Sequence, residues 1–499
     1  MRTRTATRPF LTALLLGVLV LGLLVATRHA GNGVVGHGPA PGRDDLNLIV
    51  VVVDDMDDFS CAETSRYLPR SSRWLLDRGR CFENATTTSP VCCPARATIL
   101  SGQVPHNNRV RRQIDARKLD PRHTIQARLS RLGLTTYAVG KYLNGVSPSS
   151  VIDGSVETGF DRTDLWHTDL YTDYVLYDAD ANPYKPDPPV HTTVRAGGYL
   201  AGFVSEMVAA EKPFFAYVGF AAPHTQNRNG EGFLFPEPTA ANAGRPVPSF
   251  RFRPEHDTSD KLLPFTSLDA GHGRRYFTEF DAARVRALYD VDDQVAATFE
   301  ILEASGAIDD TAVIFVSDNG FNLGTNGWEG KSVPYPDSLE IPMLAYYPPA
   351  FGSGVVDPRR VDLVDIASTV FDLFDVGPGY RLDGHSLLGP TARRENLHEF
   401  TNERNKFVLE ESGHAPFAVP TWSSYVDVRG NAYIEYYRAD GSLLAQEYYR
   451  DPRRQMNLLA PQYAALRPSP TVLAAARARL DQLKSCAGTV ERGSPNPCP

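Results

Sequence analysis

Cys92 stands in the stretch Ser89-Pro-Val-Cys-Cys-Pro-Ala-Arg96, which runs on into Ala97-Thr-Ile-Leu-Ser-Gly102. It lies two residues before a proline and four before Arg96, at the expected start of a helix whose later residues Ala97, Ile99 and Leu100 are apolar. Backbone N–H groups at a helix start and a fixed cation both favour an anion, so they lower a thiol's pKa. A reactive thiol is one reading. Adjacent cysteines before a proline equally suit a buried structural pair or half of a disulfide framework, and three fixed positions do not choose between these.

Other residues with chemistry recur at the ends of apolar runs. Asp54-Asp55 closes the run Leu46-Asn-Leu-Ile-Val-Val-Val-Val53, and paired acids repel unless a cation joins them. Lys141 follows Gly140 after Thr135–Val139, and lysine is scarce here beside arginine. His224 is the fourth residue past Pro213–Phe220, where it suits a proton donor or an anion ligand. Asp318-Asn319 ends Thr311–Ser317, and with Asp54 and Asp55 it makes an oxygen-rich set that suits Ca²⁺ or Mg²⁺ over a soft metal. Lys331 lies in the loop that follows. Each has a bland alternative: a solvated acidic loop, a surface lysine, a histidine satisfied by one neighbour. Their joint occurrence at four strand ends favours the functional reading.

The elements that must carry them are buried strands. Continuous β-branched runs suit strands covered on both faces, and open α/β sheets place ligands beyond the carboxyl ends of such strands. Helical spacing from about Phe280 to Ala304 predicts a helix covering the sheet. Between Gln226 and Gly273 the chain is rich in Pro, Gly, Asn and charge, and reads as an insertion that shapes a substrate mouth. From about Glu395 the pattern changes: Ser423–Tyr437, a turn at Asp440-Gly441 and Leu443–Tyr449 read as antiparallel strands, with a helix from Thr471 to Lys484.

A net charge of −8 over 499 residues argues against a general nucleic-acid binder. A basic start, an apolar run from Phe10 to Ala26 and Gly/Pro-rich sequence to Gly42 predict export. The run is long for a cleaved signal and short for a membrane span, so secretion and tethering at the outer face both stay open. Of the six cysteines, Cys486 and Cys498 flank a polar tail and suit a bridge, Cys61 and Cys81 are a second candidate pair, and Cys92 and Cys93 are left over.

With these residues in order, the chain resembles the type I sulfatases of the alkaline phosphatase superfamily over nearly all of its exported portion. Cys92-Cys-Pro-Ala-Arg96 with Ser101-Gly102 looks like the sulfatase signature in its two-cysteine form, and Glu447–Leu458 is similar to the family's C-terminal signature. Gly140-Lys-Tyr-Leu-Asn144, Pro248-Ser-Phe250 and Ser259-Asp-Lys261 look most like the N-acetylglucosamine-6-sulfatase and heparan endosulfatase branch. The resemblance implies an alkaline-phosphatase-like α/β fold: a mixed, mostly parallel central sheet flanked by helices, with a smaller C-terminal α+β unit containing an antiparallel sheet. The division that follows is 1–30 as signal peptide or signal anchor, 31–43 as linker, 44–392 as catalytic domain and 393–499 as C-terminal subdomain.

The resemblance further implies that a formylglycine-generating enzyme converts Cys92 to Cα-formylglycine. Hydrated, that aldehyde is a geminal diol: one hydroxyl attacks sulfur, and loss of a proton from the other releases sulfate. Asp54, Asp55, Asp318 and Asn319 would hold one Ca²⁺ (Mg²⁺ being the lesser candidate), which also meets the nucleophile at position 92. Arg96 would hold the hydroxyl, Lys141 and Lys331 would balance charge on the sulfuryl oxygens, and His224 would protonate the leaving oxygen, shared with Lys331. Two positions depart from the family: Leu143 and Asn322 stand where many members have histidine, and Asn144 or Asn322 could orient a group but not accept a proton. The expected substrate is a sulfated sugar or an aryl sulfate. A phosphonate monoester or phosphodiester hydrolase on the same scaffold is the near alternative, and a non-catalytic anion- or glycan-binding protein the distant one if Cys92 is unmodified. The run Arg109-Val-Arg-Arg112 reads as a solvated face, with contact to further sulfate or carboxylate groups of a glycan as its alternative.

Overall fold

The apolar run at the start of the exported portion forms a strand, β1 (Asn47–Val53), all seven residues of which are buried. Each Val or Ile placed there stabilises the fold by ~1.5–3 kcal/mol relative to exposure. The computed structural model describes residues 45–57, 60–166, 168, 170–227, 233–250, 258–261, 273–402 and 419–499. The expected export segment and linker lie outside the described residues, as do parts of the 226–273 stretch.

Seven further strands join β1: β2 (Arg80–Thr86), β3 (Thr135–Gly140), β4 (Arg162–Leu165), β5 (Phe214–Gly219), β6 (Thr311–Ser317), β7 (Met343–Tyr346) and β8 (Val355–Asp362). They lie in the order β8-β2-β7-β6-β1-β5-β3-β4. Every pairing is parallel except the two made by β7, with β6 and with β2. The mixed, mostly parallel sheet implied by the resemblance is therefore present.

Alternation along β1 divides the core. Leu48, Val50 and Val52 pack with α1 (Cys92–Ser101) and with Ile366, Val370 and Phe371 of a helix at 365–373. Ile49, Val51 and Val53 face the other way, against α2 (Thr192–Ala209) and α3 (Arg274–Ser305). Helices thus cover both faces, and the carboxyl ends of β1, β3, β5 and β6 open on one edge of the sheet.

The C-terminal portion forms a second sheet in which β9 (Glu395–Phe400), β10 (Thr421–Asp427), β11 (Ala432–Tyr437) and β12 (Leu443–Tyr449) pair antiparallel in sequence order. A helix at Pro470–Leu483 packs on it, Leu480 joining Tyr433 in one core. Disulfides join Cys61 to Cys81 and Cys486 to Cys498, and Cys92 and Cys93 are buried outside any disulfide, as the sequence pairing expects. Among the described residues, no helix is long and apolar enough to cross a membrane.

Candidate active site

Cys92 is the first residue of α1, a helix with all ten residues buried. Val91, which caps it, offers no side-chain acceptor, and the free N–H of Cys93 is taken by Gln113 Oε1 at 2.8 Å. The helix ends at Gly102 in the left-handed region (φ 63°), where a Cβ would come within 2.7 Å of Ala367 Cβ.

Around Cys92 the strand ends converge. Its thiol donates to Asp54 Oδ1 at 3.3 Å, while Lys331 Nζ and Lys141 Nζ donate to the sulfur at 2.9 and 3.8 Å. Lys141 also meets Asp54 Oδ2, and Lys331 meets Asp55 Oδ1. His224 Nε2 lies 3.6 Å from Asp55 Oδ2. The Thr225 carbonyl can only accept, so Nδ1 donates to it at 2.6 Å and Nε2 is the nitrogen turned to the cluster. Arg96 is fully buried: Nε donates to Asp318 Oδ2 at 2.7 Å, and Nη1 donates to Lys141 O at 2.7 Å and Tyr217 Oη at 3.2 Å. Its Nη2, 3.8 Å from Asp54 Oδ2, is buried without a hydrogen-bond partner.

Glycine explains how Lys141 arrives there. Gly140 (φ 83°) and Gly219 are paired across β3 and β5; a Cβ on the first would lie 2.2 Å from Gly219 O, and on the second 1.8 Å from Lys141 O. Only two bare backbones fit that crossing, and it hands the Lys141 carbonyl to Arg96. Asp55 is a non-glycine residue at φ 65°. Its N–H is held by Asp318 Oδ1 at 3.2 Å and its carbonyl by Arg284 Nη2, and such a conformation persists where surroundings enforce it.

Electrostatics overturn one expectation. The helix start and Arg96 were expected to lower the Cys92 thiol, but burial and then Asp54 push it up to about 12, outweighing Lys141 and Lys331. As a thiol, Cys92 stays protonated and a poor nucleophile at neutral pH. Burial alone would also raise Asp54, yet Lys141, His224, Arg96 and Lys331 together hold it well below the usual carboxylate range. Asp318 moves the other way, raised by burial and by Asp54 against the pull of Arg96. Lys331 is held well above the usual ammonium range: burial disfavours its charge, and Asp55 with the neighbouring acids more than offsets this.

The donor set fits a hard cation. Asp55 Oδ2 and Asn319 Oδ1 are buried acceptors without a hydrogen-bond partner, which is costly unless an ion or water takes them. Ligand atoms of Asp54, Asp55, Cys92 and His224 all lie within 4.8 Å of one another. Asp318 is committed to Arg96 and to the N–H groups of Asp55 and Asn319, while Asn319 Nδ2 donates to Asp55 Oδ1 at 2.6 Å.

The departures from the family pattern are structural here. Leu143 joins the core, and Asn322 Nδ2 donates to Gly330 O, across the hairpin that leads to Lys331, and to Ser338 Oγ beyond it. Tyr217, Gln113 and Arg284 were not singled out from the sequence. None left a local signal: Arg284 shares the buried side of α3 with Asp290 and Asp292 as well as with apolar residues, so its charge does not stand out, and it also donates to Asp57 Oδ1 at 2.6 Å. A cavity of about 460 Å³ adjoins this loop, lined by Asp57 and Arg284, by Pro248 and Phe250 of the 226–273 stretch, and by Arg453 and Gln455. Gln455 O accepts from Lys261 Nζ at 2.7 Å, so the Ser259-Asp-Lys261 motif ties the two stretches together.

The family model described as Sulfatase matches residues 46–376. The chain belongs to the sulfatase family, among the type I sulfatases of the alkaline phosphatase superfamily. It is similar to an "Extracellular sulfatase SULF-1 homolog" of Drosophila melanogaster (28% identity, 74% of this chain, 33% of the relative). It is likewise similar to an "Arylsulfatase" of Volvox carteri (28%, 66% and 56%) and an "N-acetylglucosamine-6-sulfatase" of Capra hircus (25%, 72% and 66%). The chain thus spans about a third to two thirds of these relatives' lengths. Its fold matches the structure of BT4656 in complex with its substrate D-glucosamine-2-N,6-O-disulfate (TM-score 0.63, 19% identity, 88% of this chain, 97% of that one). It matches the phosphonate monoester hydrolase of Agrobacterium radiobacter comparably (TM-score 0.63, 21%, 87% and 96%). At these identities the two structures establish the fold alone.

Proposed function

We propose that this sulfatase-family chain hydrolyses a sulfate ester at position 92, after conversion of Cys92 to Cα-formylglycine, with one Ca²⁺ held by Asp54, Asp55, Asp318 and Asn319. The observation that carries this is the setting of Cys92 Sγ, flanked by Lys331 and Lys141 at 2.9 and 3.8 Å with unpartnered acceptors on Asp55 and Asn319 in the same cluster. When present, the formylglycine diol supplies the nucleophilic oxygen and the ion supplies charge that lowers its pKa.

The chain's own residues do the rest. Lys141 and Lys331 donate to the sulfuryl oxygens, where charge develops. Arg96, fixed by Asp318, Tyr217 and Lys141 O, offers its free Nη2 to the hydroxyl at position 92. His224 Nε2 carries the proton to the leaving oxygen, and its Nδ1 bond to Thr225 O fixes the ring. Three carboxylates, Asp54, Asp55 and Asp318, face three cations, Arg96, Lys141 and Lys331. A divalent ion added to that balance leaves net positive charge for a sulfate ester anion.

The substrate is a sulfated sugar or aryl sulfate, and the similarity to an N-acetylglucosamine-6-sulfatase favours the sugar. Two disulfides and a relative named as extracellular support an exported protein, secreted or tethered outside, whose residues 44–392 carry catalysis. The fold shared with a phosphonate monoester hydrolase supports a second reading, phosphodiester or phosphonate hydrolysis. Rates on an aryl sulfate and an aryl phosphodiester, side by side, separate the two: faster sulfate turnover, abolished by exhaustive chelation, is expected. Faster phosphodiester turnover sinks the first reading.

A further inference from the structure

The run Arg109-Val-Arg-Arg112 lies on the solvated surface, as its sequence suggests, but not uniformly: Arg109, Arg111 and nearby Arg117 are exposed, while Arg112 is half-buried and pairs with Asp115. Val110 turns into the core, and Arg109 (φ 69°) and Arg111 project outward on either side of it. They line one concavity of about 690 Å³ together with Arg117, Lys118 and His106. His106 is committed to Glu399 Oε2 at 2.7 Å and Cys486 O at 2.8 Å, and Lys118 pairs with Asp115 at 2.8 Å. Among the described residues, Arg109, Arg111 and Arg117 have no ion-pair partner within salt-bridge distance; the exposed Asp153 is the acid within electrostatic reach of Arg117. Three uncommitted guanidinium groups around one hollow, in a chain of net charge −8, are an anion-binding surface rather than a by-product of composition.

We propose that the Arg109/Arg111/Arg117 hollow binds a run of sulfate groups on a polysaccharide chain, away from the catalytic cluster. The choice of a glycan rests on the catalytic reading above. It also rests on shape: a localised hollow suits a single strand bearing discrete sulfates, whereas a bilayer or a duplex presents an extended anionic surface that three arginines around one concavity do not match. Guanidinium forks match planar pairs of sulfate oxygens, and all three free cations are arginines. The hollow is also tied to the catalytic helix. Arg111 is two residues from Gln113, whose amide oxygen holds the Cys93 N–H. A polymer seated there is retained beside the enzyme while one of its esters is presented, so the site acts on KM for polymeric substrate and leaves small aryl sulfates unaffected.

The test uses the full chain carrying Cys92→Ala, so that a heparin decasaccharide binds without turnover, and compares it with the same chain carrying R109Q, R111Q and R117Q. Glutamine keeps side-chain length while removing charge. Calorimetry at fixed ionic strength is expected to show decasaccharide affinity falling about tenfold or more in the triple variant. With Cys92 restored, the same three substitutions leave aryl sulfate hydrolysis unchanged. Equal affinity with and without the arginines overturns the proposal. Arginine-dependent binding of duplex DNA or phosphatidylserine vesicles as tight as that of the decasaccharide overturns the assignment to a glycan. A chain that hydrolyses aryl sulfate but does not bind the decasaccharide loses this site and keeps its catalytic reading. One that binds through the arginines yet hydrolyses no sulfate ester supports the site and sinks the catalytic reading.

Discussion

The central sheet and the C-terminal sheet serve the same cluster by different means. Strands β1, β3, β5 and β6 deliver side chains directly: Asp54 and Asp55, Lys141, His224, and Asp318 with Asn319. Among the described residues, the C-terminal sheet places no side chain within the cluster and instead holds the backbones of the two loops that do. His398 Nδ1 and the Glu399 N–H, both on β9, donate to Thr87 O and Thr88 O at 2.9 Å, on the path from β2 to Cys92. Trp422 Nε1 donates to Ser332 O at 2.9 Å, directly after Lys331, and Ser332 sits at φ 74°. Tyr335 Oη reaches Glu447, a buried carboxylate that also accepts from Tyr436 and Tyr449 at 3.0 Å each, and Arg454 holds Pro334 O. The lesson is that strand ends suffice for side chains fixed by short connections, whereas a lysine carried on a long loop needs an external clamp.

Substitutions in each region sharpen that contrast. Removing the proposed nucleophile with Cys92→Ala is expected to lower kcat on an aryl sulfate by ~10⁴-fold or more while the unfolding midpoint is kept. Cys93→Ala, whose sulfur contacts Asn144 O at 3.6 Å, affects packing and retains most activity. Comparable activity loss in a well-folded Cys93 variant breaks the assignment. Lys331→Met is expected to cost ~10²–10³-fold in kcat. Its circular dichroism stays native, and an unaltered kcat would remove Lys331 from the cluster's chemistry.

The clamp predicts a pH effect through His398. Burial, and then Arg454, push this imidazole down to about 3. An unfolded histidine titrates near ~6.5, so between that pH and 3 the unfolded chain takes up a proton that the folded chain refuses. This contribution is fully present above the unfolded pKa and is lost as pH falls, at ~1.4 kcal/mol per unit, or ~2 kcal/mol by pH 5. Urea titrations at pH 7 and pH 5 are expected to show the loss in the native chain and a smaller one in His398→Asn, which keeps a donor for Thr87. Equal slopes would show that His398 is not held neutral. The smallest effect belongs to Trp422→Phe, which removes one hydrogen bond worth ~1 kcal/mol. Kinetics on an aryl sulfate should show a several-fold fall in kcat with little change in KM, because Lys331 is less well placed. A stability loss with kcat intact would reduce the C-terminal sheet to a structural support.

The strands that carry the site were legible because burial on both faces leaves an uninterrupted apolar signature: residues 46–53, 135–139 and 311–317 fall within one residue of β1, β3 and β6. Other strands hid for physical reasons. Edge strand β4 alternates exposed and half-exposed residues, β2 carries Glu83 and Asn84 at its centre, and β8 holds Pro358 where its register shifts. The site residues were legible as strand-end positions, and their convergence on Cys92 follows from the strand order. What the sequence hid was long-range: Tyr217 and Arg284 act through partners far along the chain, and Gln113 through one twenty residues away, and no local pattern marks them. The thiol's pKa was misread because the helix start was weighed without burial and without Asp54.

Everything catalytic turns on what occupies position 92. The most direct measurement is mass spectrometry of the peptide spanning Ser89–Arg96 from protein made with a formylglycine-generating enzyme, before and after reaction with a hydroxylamine probe. The account predicts loss of the Cys92 thiol, gain of one probe adduct at that residue, and sulfate ester turnover that scales with the converted fraction. An intact, unlabelled thiol in protein that turns over sulfate esters at full rate would contradict it.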